Sequence, residues 1–382
     1  MSTILFAGGG TGGHVYPMIA VADALRVIAP DVHVVFVGTE RGMEVRAVPA
    51  RGYELELVRV LPIRGGGLRG AVAGALRAAG SIPESRKLVA RHQPRAVLSI
   101  GGYAAGPVSL TARALGVPLA LMEPNSVIGL SNRLLAPLVH RAYTAFAGAE
   151  SHFRRGAVLR AGVPIRDGFA PRPYAREKGV LRVLVLGGSQ GARALNAAVP
   201  EALGRARTGV RVVHQCGRAE ADVVRERYAA LGAGPVAEVV PFIDDMPAAI
   251  GAADLVIGRS GASAVSEICA IGRPSLLVPY PYAAGDHQRV NAESLVEDGA
   301  AVCVANADAS PERLAHEIDR LAATEGLLEA MADKARRRGK PDAAAHVARD
   351  LLALAGIRTG ETHRESNREP PKDGSSLREA TL

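Results

Sequence analysis

Aromatic side chains make up only 4% of the 382 residues, and no zinc-finger or RNP pattern accompanies them. Nucleic acid is therefore not an expected partner. Only three cysteines occur, Cys216, Cys269 and Cys303, each alone in an apolar run. That excludes a disulfide framework or a thiolate metal cluster and reads as buried, reduced thiols. No uncharged apolar run is long enough to span a bilayer. The chain opens directly on a core-like strand, so no secretory leader is expected. Nowhere does an Asp-x-Asp pair occur, which removes a common carboxylate seat for a divalent cation beside a diphosphate.

What is present is apolar residues, at 48%, and a formal net charge of +8. The first suits a close-packed α/β protein of two domains. The second suits acidic small molecules or an anionic membrane surface. Strand-like runs alternate with helix-like ones: Ile4–Ala7, Val32–Val37, Arg95–Ile100, Pro118–Met122 and Ala142–Phe146. Such alternation predicts βαβ units and a parallel sheet. After the Pro-rich, charged stretch at residues 171–178 the pattern restarts with Leu181–Leu186, as two Rossmann-like domains in tandem would. Helices are expected from about Pro311 to Arg338 and from Asp342 to Ala355. The polar residues 358–382 read as a disordered tail.

Small-residue turns follow four of the strands. They are Gly8-Gly9-Gly10-Thr11-Gly12-Gly13-His14, Gly101 to Pro107, Gly187 to Arg193, and Arg259 to Glu267. Glycines let the backbone approach a partner, and the amides of the following helix favour negative charge. Four such turns at strand carboxyl ends point to a ligand cleft. The first turn ends in His14, a titratable group able to serve as a base or to position a ligand. In the last turn, Ser260, Ser263 and nearby amides suit a diphosphate, while Glu267 reads equally as a ribose acceptor or a solvated helix carboxylate.

Other candidates keep two readings each. Glu123 and Asn125 are ligand contacts or loop caps. Arg166 is a phosphate fork or a hinge salt bridge. Gln288 and Asn291 share a helix face and suit sugar hydroxyls, or lie exposed behind a cap at Asp286. Asp245 suits a helix N-cap. The segment containing Leu68, Val72, Ala75, Leu76 and Ala79 is a core-facing amphipathic helix or one resting on a membrane.

These stretches together resemble the MurG family of bacterial cell-wall glycosyltransferases. The matching motifs are Gly9–Pro17, Gly101–Pro107, Asn125 with Gly129–Asn132, Gly162–Arg166, Gly187–Arg193, Phe242–Met246, Arg259–Ile268 and Gln288 with Asn291. They run in order over nearly the whole chain. The resemblance implies a GT-B fold, with Rossmann-like domains at 1–163 and 164–341 facing a deep cleft and a helix at 342–357 crossing back. It implies transfer of N-acetylglucosamine from UDP-GlcNAc to a lipid-linked muramyl-pentapeptide at the cytoplasmic face of the plasma membrane. Neither a cofactor nor a resident metal is implied. Carried over residue by residue, the donor would meet Thr11, Gly12, Gly13, Asn125, Arg166, Ser189, Ile243, Ala262, Ser263, Ala264, Val265, Ser266, Glu267 and Gln288. The Ile243 backbone would face uracil and Glu267 the ribose. His14 is the first choice of catalytic base and Glu123 the second. Leu68, Val72 and Leu76 would face the membrane. Where family members often carry His-Glu-Gln-Asn, this chain has Met122-Glu123-Pro124-Asn125.

Overall fold

The strand-like runs assemble into two parallel sheets. The structure, a computed structural model, describes residues 1–59, 80–102, 104–177, 179–187, 192–232 and 236–358. The first sheet contains β1 (Ser2–Gly8), β2 (Val32–Gly38), β3 (Glu54–Leu57), β4 (Ala96–Gly101), β5 (Leu119–Glu123), β6 (Arg141–Thr144) and β7 (Val158–Leu159), in the order β3-β2-β1-β4-β5-β6-β7. The second contains β8 (Val180–Leu186), β9 (Gly209–Gln215), β10 (Val236–Val240), β11 (Leu255–Gly258), β12 (Ser275–Leu277) and β13 (Ala301–Cys303), in the order β10-β9-β8-β11-β12-β13.

In each sheet the winding direction reverses once, between β1 and β4 and between β8 and β11. Ligands of open α/β sheets bind at the carboxyl ends beside such a reversal. In the sequence the four small-residue turns follow these four strands, β1, β4, β8 and β11.

Both faces of the first sheet are covered. Ile4 and Phe6 point into one core, and Leu5 and Ala7 into the other. That explains why β1 reads as an unbroken apolar run. The last described helix, Ala343–Leu354, packs Val347, Ala348, Leu351 and Leu352 into the first sheet's core beside Met18 and Leu25. Its Asp350 accepts from the Tyr143 hydroxyl at 2.9 Å and pairs with Arg141 at 2.8 Å. A separate apolar cluster joins the halves: Phe146 and Val163 meet Val265, Cys269 and Leu295.

Two departures from the sequence expectation have local causes. The edge strand β3 alternates Glu and Leu, so it lacks an apolar run. The helix expected over 311–338 is broken into Pro311–Ala323 and Leu327–Arg338, with Gly326 at φ 70° between them. Cys216 and Cys269 are buried, whereas Cys303 is only half-buried. Among the described residues no helix is long and apolar enough to cross a membrane. The expectations for Leu68, Val72 and Leu76, for Ser189 and for the tail from Thr359 lie outside the described residues.

Candidate active site

The first turn is held from below by a residue that sequence reasoning missed. Glu44 is 1% exposed and accepts from Gly10 N at 2.7 Å, Thr39 N at 2.9 Å and Thr39 Oγ1 at 3.2 Å. A Cβ on Gly9, Gly38 or Gly42 would overlap its carboxylate. Three glycines therefore make room for one acid, and the spacing Gly38…Gly42-Met43-Glu44 was the only sequence signal. The second turn presses on the first: a Cβ on Gly102, whose φ is 88°, would lie 2.9 Å from the Gly9 carbonyl oxygen.

Thr11 is the extended cap of the helix Gly12–Ile28, so the amides of Gly12 and Gly13 have no intrahelical acceptor. His14 sits in this first helical turn, half-buried, with Nδ1 3.2 Å from the Gly9 carbonyl oxygen. A carbonyl can only accept, so Nδ1 carries the proton in that bond. The lone pair of the neutral ring is then on Nε2.

Glu123, the second base candidate, is differently employed. It is 2% exposed and accepts from Asn125 N at 3.1 Å, Asn125 Nδ2 at 3.5 Å, Gly129 N at 3.0 Å and Asn132 Nδ2 at 2.9 Å. Its oxygens are spent on shaping the loop after β5. The loop-cap reading replaces that of a base.

That loop meets the second domain through Asn291, which is 0% exposed. Asn291 Oδ1 accepts from Ser126 N at 2.9 Å and Ser126 Oγ at 2.8 Å. Its Nδ2 donates to Asn125 Oδ1 at 3.3 Å and to the Ser260 carbonyl at 3.1 Å. The sequence reading of Asn291 as a sugar ligand is corrected: its amide is consumed as a bridge between domains.

In the second domain, β11 leads through Arg259-Ser260-Gly261 into the helix Ala262–Ile271. Arg259 Nη1 donates to the carbonyls of Val278 and Pro279 and to Asn306 Oδ1, tying the turn to the end of β12. Ser260 Oγ donates to the Gln288 carbonyl at 2.7 Å, and Gln288 Oε1 accepts from Tyr280 N at 3.0 Å. Ser263 Oγ is buried and has no hydrogen-bond partner. Ala262 and Ala264 offer amides in the same first turn. Val265 does not line the site: its N–H bonds to the Gly261 carbonyl, and its side chain is 1% exposed in the interdomain core. Ser266 faces a cavity of about 430 Å³ behind the helix.

Glu267 and Arg166 come together from distant stretches, 3.6 Å apart, so Arg166 makes the salt bridge, while Glu267 is too buried for the solvated helix carboxylate of the sequence reading. Burial pushes the Glu267 carboxyl up to about 7, against the lowering pull of Arg166. Asp245 caps the helix Met246–Ala252 by accepting from Ala248 N at 2.9 Å, leaving half-buried Ile243 at the strand exit. On β9 in the second sheet, His214 is fully buried between Tyr228 and Asn196, and burial pushes it down to about 4. It is a neutral core histidine.

Across the crevice, the helices Gly12–Ile28 and Ala262–Ile271 approach within 8 Å between Cα atoms. Each of these helices begins at a small-residue turn that follows the carboxyl end of a strand at its sheet's reversal, β1 in one and β11 in the other.

Comparison with known proteins agrees with this geometry. Residues 4–144 match the glycosyltransferase family 28 N-terminal domain, and residues 182–347 match its C-terminal domain. The crystal structure of MurG from Acinetobacter baumannii superposes with a TM-score of 0.78 at 31% identity, covering 92% of this chain and 100% of that one. The chain belongs to the MurG family. A Sorangium cellulosum protein named UDP-N-acetylglucosamine--N-acetylmuramyl-(pentapeptide) pyrophosphoryl-undecaprenol N-acetylglucosamine transferase is 58% identical over 360 residues, 93% of this chain and 89% of its own length. A protein of the same name from Anaeromyxobacter sp. (strain K) is 42% identical over 372 residues, 96% of each chain. A Listeria monocytogenes protein described as a "putative UDP-N-acetylglucosamine 2-epimerase" has a TM-score of 0.64 at 16% identity, which reflects a shared fold alone.

Proposed function

We propose that this MurG-family chain transfers N-acetylglucosamine from UDP-GlcNAc to the C4 hydroxyl of undecaprenyl-diphospho-N-acetylmuramyl-pentapeptide, in one inverting displacement. The observation that carries the reading is that the helices Gly12–Ile28 and Ala262–Ile271, which follow the glycine turns after β1 and β11, come within 8 Å of each other, with His14 in the first turn of one and the free amides of Ala262 to Ala264 in the first turn of the other. His14 Nε2 takes the C4 hydroxyl proton as that oxygen bonds to the anomeric carbon. The bond from the anomeric carbon to the diphosphate breaks, and UDP leaves with its electron pair. The amides of Ala262 to Ala264 then face the growing charge on the diphosphate. Glu267 takes the ribose hydroxyls, and the backbone at Ile243 faces the uracil. Asn125, Arg166 and Gln288 frame the donor, and Thr11, Gly12 and Gly13 face the reacting end. Glu44 and Glu123 position the turns without touching substrate.

The acceptor is held by the first domain at an anionic membrane surface on the cytoplasmic side. The net charge of +8 supports that docking. The test is an assay of UDP-GlcNAc with a lipid I analogue, with chelator present, followed by stereochemistry of the product. A β-1,4-linked disaccharide and stoichiometric UDP are expected. Epimerised donor formed without acceptor would replace this reading with the epimerase chemistry that the same fold supports.

A further inference from the structure

At the far end of the first sheet, away from the cleft, lies a cluster that transfer chemistry does not use. Glu54 and Glu56 alternate along the edge strand β3 and so share one face. Register pairs Glu54 with Val35 and Glu56 with Val37, which puts His33 on that face too. The helix Ile82–His92 covers the same face through Leu88 and Val89 and ends there in His92. One ligand atom each from Glu54, Glu56 and His92 lies within 4.8 Å of the others. His92 Nε2 is 3.0 Å from Glu56 Oε1 and 4.0 Å from Glu54 Oε1. His33 Nε2 lies 3.1 Å from the other Glu54 oxygen, and Arg91 Nη1 lies 2.7 Å from Glu56 Oε1.

We propose that Glu54, Glu56 and His92 form a binding site for a zinc-class divalent cation, with His33 orienting Glu54 from outside. Two carboxylates and a neutral imidazole match the charge and the donor preference of such an ion. A cation about 2.1 Å from each ligand needs ligand atoms roughly 3.3 Å apart, close to the spacings present. His33 stands as the outer partner that holds a ligating carboxylate in place. Arg91 is the competitor: it occupies the Glu56 oxygen that the ion would take, and its side chain is 63% exposed and free to swing away. The bound ion would stitch the charged sheet edge to its covering helix. A plain histidine–carboxylate ion-pair network is the alternative.

No metal motif is legible along the chain, because the ligands come from a strand and from a helix end 36 residues further on. The site lies on the edge strand β3, two strands away from β1 and its glycine turn, and shares no residue with the candidate active site, so the proposal is independent of the transferase reading.

The test uses the full chain, stripped with chelator and titrated with zinc chloride by calorimetry near neutral pH. One equivalent is expected to bind, with cobalt substituting and giving visible absorption. His92→Ala should weaken binding by about tenfold or more. Arg91→Ala should tighten it, which surface adsorption would not do, and which keeps the test decisive should His92→Ala fold poorly. Absence of binding, binding unchanged by His92→Ala, or binding weakened by Arg91→Ala would each overturn the site.

Discussion

A histidine whose Nδ1 is engaged by a backbone carbonyl has one nitrogen left for chemistry. For His14 that nitrogen is Nε2, because the Gly9 carbonyl takes the other. His14→Ala is expected to lower kcat by about 10²–10⁴ while leaving the donor KM nearly unchanged. Steady-state kinetics on a folded variant decides it, and an unchanged kcat would remove His14 from the proton transfer. Glu267 makes the second residue-scale prediction. Its carboxyl titrates at about 7, raised from 4.5 by burial. Ribose hydroxyls donate, so the ionised form is the one that binds. The KM for UDP-GlcNAc should therefore fall as pH rises through about 7, and Glu267→Gln should flatten that dependence. For stability the sign is opposite: the folded free chain resists ionising this group, so its contribution is full at low pH and lost as pH rises through about 7. Thermal midpoints of the free chain and of the Glu267→Gln variant, compared across that range, read this directly.

Among elements, the turns decide most. The strand–turn–helix units were legible because glycines and apolar runs are local signals. Their tertiary support was not. Glu44 lies 34 residues from Gly10, whose amide it holds, and nothing in Gly42-Met43-Glu44 announces a partner that distant. Edge strand β3 escaped because its alternating acids mimic a surface loop, and the break near Gly326 because one glycine is tolerated in a helical pattern. Glu123 and Asn291 each kept a ligand reading beside a bland one, since an acid and an amide near a cleft look alike in sequence whether they face substrate or backbone. Gly102→Ala tests the contact between the first two turns. The new Cβ would sit 2.9 Å from the Gly9 oxygen, at a φ of 88° that side chains avoid. We expect a cost of about 1–3 kcal/mol from the backbone conformation alone. A lower thermal midpoint and a reduced kcat/KM should appear together, and a wild-type midpoint would show that the turns are not in register contact.

At the scale of the whole molecule, two domains are joined by an apolar cluster and by the amide of Asn291. Asn291→Ala strands polar groups of Ser126 and Ser260 in a buried place, at about 1–3 kcal/mol for each group left unpaired. The variant should show a larger radius of gyration by X-ray scattering and a raised donor KM, with each sheet still intact by circular dichroism. An unaltered scattering profile with unaltered KM would demote the bridge to a local cap.

The helix Ala343–Leu354 carries one more consequence. It supplies Val347, Ala348, Leu351 and Leu352 to a core whose other members include Ile4, Phe6, Met18 and Leu25. During translation those early residues emerge first and wait for a lid that is made only after the whole second sheet. A nascent chain stalled anywhere in the second domain therefore holds one apolar flank of its first domain uncovered, a target for holding chaperones until that helix emerges.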